Sequence, residues 1–236
     1  MQKTKSAGRD VYRQLRDDLA LCRIRPGERL LTGPLRERFG VSFTVIREAL
    51  ARLAAEGFAV ADPKKGYTAA EISVEDILSL TEARIGVEIL CLRESILLGD
   101  ALWQDIIVQR RDQILAIPVS SPSQPCRINE EFMEAHDRFH DSLVAACANP
   151  WLLRVREMLH NQSSRYRQIC IPLEPTLPNG ERGYREIAAA VLARDHGKAA
   201  SLISGRFRRN TADFVHALET SLGPTRFWCN VDDDAL

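Results

Sequence analysis

The stretch "RERFGVSFTVIREALARLAAEGF", residues 36–58, constrains this chain more than any other. It reads as two short helices broken at Gly40, which supplies the permissive backbone of a tight turn. Pro34 suits the first turn of a helix running to Phe39. Ser42 or Thr44 can cap the second helix, which runs to Glu56 and stops at Gly57. Val45, Ile46, Ala49, Leu50 and Leu53 share one face and predict a buried stripe. That leaves Ser42, Phe43, Thr44 and Arg47 on the open side. A helix entering a DNA major groove presents short polar groups and Arg at its N-terminal end, because those residues reach the base edges. Ser42 and Thr44 can donate to phosphates or bases, and Arg47 can pair bidentately with guanine. Phe43 is the odd residue. It can meet a thymine methyl, or fold back against the domain.

The flanks fit the same layout. Val11, Leu15, Leu19 and Cys22 recur at helical spacing over residues 10–22, and Pro26-Gly27 ends that helix. "FAVADPKKGYTAAEI" holds two β-prone pieces around Pro63-Lys64-Lys65-Gly66, a small hairpin. Helix, helix–turn–helix and hairpin together make a winged helix-turn-helix. Lys64, Lys65 and Gly66 at the hairpin tip can straddle a minor groove or grip phosphates. Arg9, Arg13 and Arg38 can add unspecific phosphate contacts. Charge supports this: residues 1–70 hold fourteen Lys/Arg against eight Asp/Glu, a net of +6. The chain as a whole is neutral, so the remainder carries −6. A basic first part suits an anionic polymer. The competing reading is an ordinary solvated surface over packed helices.

A length of 236 residues suggests two units. From Ser73 the pattern becomes wholly helical. "SVED" is a capping box for a helix over 74–98, striped by Ile77, Leu80, Thr81, Arg84, Val87, Glu88 and Cys91. "GDALWQDIIVQRRDQILAI" and residues 128–148, 150–170, 181–194 and 196–220 follow, separated by the Pro-rich breaks "PVSSPSQPC" and "IPLEPTLPNG". The expected architecture is mainly α. It has a winged helix-turn-helix over 1–72, a bundle of six or seven helices over 73–222 and a flexible tail over 223–236. No stretch approaches the roughly 18 apolar residues of a membrane span, and the N-terminus lacks the apolar core of a signal peptide. Six cysteines without a CxxC pair suit reduced thiols in the cytoplasm.

His136 and His140 lie four apart and project to one helix face, the spacing two ligands of one metal need. Coincidence, or a polar patch inside a bundle, explains the pair equally well. Three further histidines, His160, His196 and His216, make a His-rich metal site hard to assemble.

"RIRPGERL", "LRERFGVSFTVIREALARLAAEGFA" and "KKGYTAAEIS" together resemble the DNA-binding domain of GntR-type bacterial transcription regulators. The family commonly has a DNA-touching Arg where Phe43 stands, so base reading there must differ. By this resemblance Ser42, Thr44, Arg47 and Lys64 to Gly66 are the DNA contacts. "EARIGVE", "HDRFHDSLVAACANPWL" and "REIAAAVLARDHGKAASLI" resemble the FCD effector domain of the FadR-like branch. Many such domains hold a divalent metal, such as zinc, through a carboxylate and three His, and the metal helps hold a small organic acid. Here those four positions read His136, His140, Tyr184 and Arg206. Two His and a Tyr make a poor zinc site, and Arg206 places a fixed positive charge where the cation would sit. The resemblance therefore implies a carboxylate-bearing metabolite bound without metal. Arg84 and Arg206 would be its clamps, with His136, His140 and Tyr184 as hydrogen-bonding partners. Salt bridges from Arg84 and Arg206 to Glu88 or other bundle carboxylates are the bland alternative.

The expected function is a ligand-responsive repressor that pairs as a homodimer and spaces two recognition helices about 34 Å apart. The rivals are a metal-dependent hydrolase using His136 and His140, and a DNA-architectural protein without a sensor.

Overall fold

The computed structural model describes residues 2–120, 129–170 and 180–221. The breaks at 121–128 and 171–179 and the tail after 221 lie outside the described residues. Among the described residues the chain is mainly helical, with one two-stranded antiparallel sheet. It forms two compact units. Among the described residues the first runs to Ser73 and also takes in Asn161–Gln168; the second holds Val74–His160, Ile169, Cys170 and Gly180–Ser221.

The first unit is a winged helix-turn-helix. Helix α1 spans Gln2–Ala20, α2 Thr32–Phe39 and α3 Phe43–Ala55. Strands β1 (Ala59–Asp62) and β2 (Gly66–Ala69) follow. Helix α1 starts eight residues before the predicted position 10. "QKTKSAGR" is polar throughout, so no apolar periodicity announces those turns. The stripe predicted for α3 is buried as expected, Ile46, Leu50 and Leu53 completely, and packs with Val11, Leu15 and Phe58. Gly40 at φ 62° makes the left-handed turn, its N–H donating to the Arg36 carbonyl at 2.9 Å. Ser42, not Thr44, is the N-cap of α3; its hydroxyl accepts from the Val45 N–H at 3.5 Å.

The hairpin pairs Asp62 with Gly66 across a three-residue loop. The Asp62 carboxylate accepts the N–H of Lys64 at 2.7 Å and of Lys65 at 3.0 Å, and Gly66 takes φ 85°. The local backbone thus fixes the wing tip and leaves both lysine side chains exposed.

The second unit contains α4 (Val74–Leu98), α5 (Ala101–Leu115), α6 (Glu130–Val144), α8 (Gly180–Leu192) and α9 (His196–Ser221). It also holds the first half of α7, a helix spanning Pro150–Cys170. Side-chain caps start several of these: Asp100 accepts from Trp103 N–H at 2.8 Å and Asn129 from Glu131 N–H at 3.0 Å. Asn149 does the same for α7, accepting from Trp151 and Leu152 ahead of Pro150 at the first helical position. Phe139, Leu143, Ile107, Ile187, Val191 and Ile203 form the centre of the bundle. No helix among the described residues is long and apolar enough to cross a membrane.

Candidate functional site

Two surfaces carry chemistry. The first is the open side of α3. Ser42, Phe43, Thr44 and Arg47 are all exposed, as the periodicity requires once Val45 and Ile46 turn inward. Arg9 is exposed on α1, where Arg13 pairs with Asp10 at 3.3 Å. Arg38 is not an idle cation: Asp18 holds it at 2.7 Å and also sits 3.5 Å from Arg23. Phe43 does not fold back into the core. It stays 48% exposed, with the Arg36 guanidinium 4.9 Å over its ring. Sequence spacing did not point to Arg36, because the contact bridges two helices across a turn.

The second surface is buried in the helical unit. His136 and His140 on α6 stack with ring centroids 4.5 Å apart. Tyr184 of α8 stands 6.2 and 6.5 Å from their rings, and the Arg206 guanidinium of α9 lies 4.1 Å over Tyr184. The predicted quartet is therefore brought together. Arg84 reaches the same neighbourhood through Phe207, its guanidinium 4.3 Å over that ring, which is 6.0 Å from His140. Gly183 supports the placement of Arg206, since a Cβ there would sit 2.7 Å from Nη1.

Arg156 and His160 on α7 were missed from sequence. Arg156 donates to Glu88 at 2.8 Å and to Asp141 at 2.7 Å. Glu88, named above as a partner for Arg84 or Arg206, is engaged by Arg156. Burial opposes the charge on Arg156, but the two carboxylates outweigh it and hold the guanidinium above its ordinary pKa. Asp137 bridges two imidazoles, 3.0 Å from His136 Nδ1 and 3.2 Å from His160 Nε2.

His140 differs from its neighbours. Burial, then repulsion from His136, Arg206, Arg156 and His160, holds its pKa well below the ordinary imidazole value. Among the described residues neither of its ring nitrogens has a hydrogen-bond partner, and neither does Arg206 Nε or Glu88 Oε1. Each buried polar atom left so costs about 1–3 kcal/mol. Four such atoms among facing helices therefore suit a polar ligand rather than a packed core.

A metal fits poorly. No group of three or more His, Cys, Asp or Glu among the described residues is arranged to hold an ion. The two positions that would complete the donor set carry a phenol and a permanent cation, Tyr184 and Arg206.

A helix-turn-helix with a basic wing, in a chain whose helical unit buries an unsatisfied polar cluster, defines the class: a DNA-binding transcription regulator with an effector domain. Residues 7–68 match the model of the bacterial regulatory proteins, gntR family, and residues 79–209 match the FCD domain. The chain belongs to the GntR family and carries an FCD domain; it is a transcription regulator, not an enzyme. It is similar to the uncharacterized HTH-type transcriptional regulator BphR of Paraburkholderia xenovorans, with 28% identity over 82% of this chain and 79% of that one. The HTH-type transcriptional repressor GlaR of Escherichia coli is also 28% identical, over 82% of this chain and 89% of its own. The structure of McbR/YncC from E. coli superposes with a TM-score of 0.72 at 19% identity, covering 89% of this chain and 97% of that one.

Proposed function

We propose that this regulator is a metabolite-responsive repressor whose effector is a small carboxylate held without metal. The observation that carries the reading is the set of unsatisfied buried atoms on His140, Arg206 and Glu88. A carboxylate accepts from Arg206 and supplies acceptors that the protein does not. Glu88 Oε1 and a His140 nitrogen, as acceptors, suit a hydroxyl or ammonium on the same molecule. Arg84 would clamp a second carboxylate, with His136 and Tyr184 closing the site. Repression is the role named for the E. coli relative.

The division of labour is residues 1–72 for DNA and 73–222 for sensing, acting in the cytoplasm where the DNA lies. Ser42, Phe43, Thr44 and Arg47 would enter the major groove. Lys64, Lys65 and Gly66 would take the wing contact, and Arg9 and Arg38 the flanking phosphates. Pairing through the helical unit is supported by Trp151, Val155 and Met158, which stripe α7 at 70%, 39% and 47% exposure.

The test is a thermal-shift screen of organic and amino acids on the full chain, with and without a chelator. An effector at a hundred times its Kd adds about 2.7 kcal/mol of stability. Arg206→Ala is expected to abolish that shift and leave operator binding intact. A normal response in this variant, or one lost to the chelator alone, defeats the metal-free carboxylate site.

A further inference from the structure

We propose that Arg36 and Phe43 form one composite reading element that selects a guanine in the operator's major groove. The inference rests on the DNA-binding role of α3 and adds a residue and a base preference to it.

The geometry is local to the helix-turn-helix. Phe43 is the first residue of α3, next to the Ser42 cap, and is 48% exposed. An aromatic ring half in water at this place has no hydrogen bond to offer a base. It does offer a face, and the Arg36 guanidinium lies 4.9 Å over it. The backbone of Arg36 is anchored, because its carbonyl accepts the Gly40 N–H at 2.9 Å as the turn begins. Among the described residues Arg36 forms no ion pair, whereas Arg38, two residues on, is held by Asp18 at 2.7 Å. The turn thus fixes the start of the Arg36 side chain and the ring fixes its end.

A guanidinium with one face on an aromatic ring keeps its N–H edge free. That edge carries only donors, so it matches two adjacent acceptors. In the major groove guanine presents two, N7 and O6, while adenine pairs its N7 acceptor with an N6 donor that an arginine edge repels. The contact is made at Phe43, the first residue of α3, one position before Thr44 and about one turn before Arg47, at the helix end that reads base edges. A phosphate also accepts from arginine, but it needs no platform to set the plane. The aromatic support favours the base.

The experiment is selection from random duplexes with the full-length protein, its Arg36→Ala, Arg36→Lys and Phe43→Ala variants, and quantitative titrations on the motif obtained. The wild type is expected to enrich a motif with one G·C position that depends on Arg36. Arg36→Ala and Phe43→Ala should each relax that position by about 5- to 150-fold in guanine preference and leave the other positions intact. Arg36→Lys keeps the charge but loses the planar fork, so it should lose the preference and keep the salt dependence. Unchanged base preferences in Arg36→Ala overturn the inference. So does a uniform loss over all sequences with a salt slope lower by about one, the mark of a phosphate contact. Full guanine preference in Phe43→Ala removes the platform and overturns the composite element. A wild type that enriches no motif defeats the DNA-binding reading itself, an outcome distinct from these.

Discussion

Replacing Arg156 by Leu isolates a carboxylate inside the helical unit, and the size of the effect can be worked out. Arg156 sits 2.8 Å from Glu88 and 2.7 Å from Asp141. The Arg156 and Glu88 side chains are 8% and 4% exposed, while Asp141 is 62% exposed. In the variant Asp141 turns to water and loses at most about 1 kcal/mol. Glu88 has two choices. It stays ionised and uncompensated, at about 3–5 kcal/mol, or it takes up a proton. Protonating a carboxyl whose unfolded pKa is about 4.3 costs about 1.4 kcal/mol per unit, hence about 3.7 kcal/mol at pH 7. Protonation thus caps the loss at about 3.7 kcal/mol at pH 7, and the cap falls to about 1 kcal/mol at pH 5.

For a chain of this size about 1 kcal/mol shifts Tm by 2–4 °C. Arg156→Leu should therefore melt roughly 7–15 °C below the wild type at pH 7 and only a few degrees below it at pH 5. The assay is thermal and urea unfolding of the helical unit followed by circular dichroism at both pH values. The double variant Glu88→Leu/Arg156→Leu should recover to within about 1 kcal/mol of wild type, because a buried pair exchanged for apolar groups is often neutral. A loss that does not shrink with acid, or a double variant less stable than the single one, would refute the reasoning.

His140 gives a pH dependence of known sign. Burial and neighbouring positive charge depress its pKa in the fold, so the unfolded chain binds a proton that the folded chain refuses. Its contribution is complete above about pH 6.5 and is lost below it by up to about 1.4 kcal/mol per unit; His140→Phe should flatten that slope in urea melts from pH 7.5 to 5.5, and parallel slopes exclude it. Arg47→Ala should weaken binding to the selected operator by about 1–3 kcal/mol and relax one base position, and unchanged titrations at fixed salt remove Arg47 as a reader.

The recognition helix was legible because its signal is local. Val45, Ile46, Ala49, Leu50 and Leu53 repeat at helical period, and all are buried. Once they turn inward, Ser42, Thr44 and Arg47 have no other side to occupy. The first turns of α1 carried no such pattern, and their polar residues hid them. In the helical unit the same local rule exposed His136 and His140, four apart on α6. It could not expose Arg156 or His160, whose partners Glu88 and Asp137 lie on other helices. Nor could it show that Gly183 clears space for Arg206, a contact between α8 and α9. The Arg36–Phe43 stack was hidden for the same reason, although each residue stood in plain view.

Stability alone does not account for the polar cluster of the helical unit. An apolar side chain at His140 would avoid about 1–3 kcal/mol for each ring nitrogen now without a partner among the described residues. Burial first, then His136 and the cations Arg206 and Arg156, keep His140 neutral. Arg156 is compensated by Glu88 and Asp141, whereas Arg206 keeps a buried Nε without a partner among the described residues, so an anion is best placed at Arg206. An effector acts only if what it gains there differs between arrangements of the helices. That difference is what an effector needs, since it can shift a regulator only by its unequal affinity for two states. A cation at the same place would add to the repulsion instead. The unpartnered Arg206 Nε thus supports the proposed metal-free acid site beside the incomplete donor set.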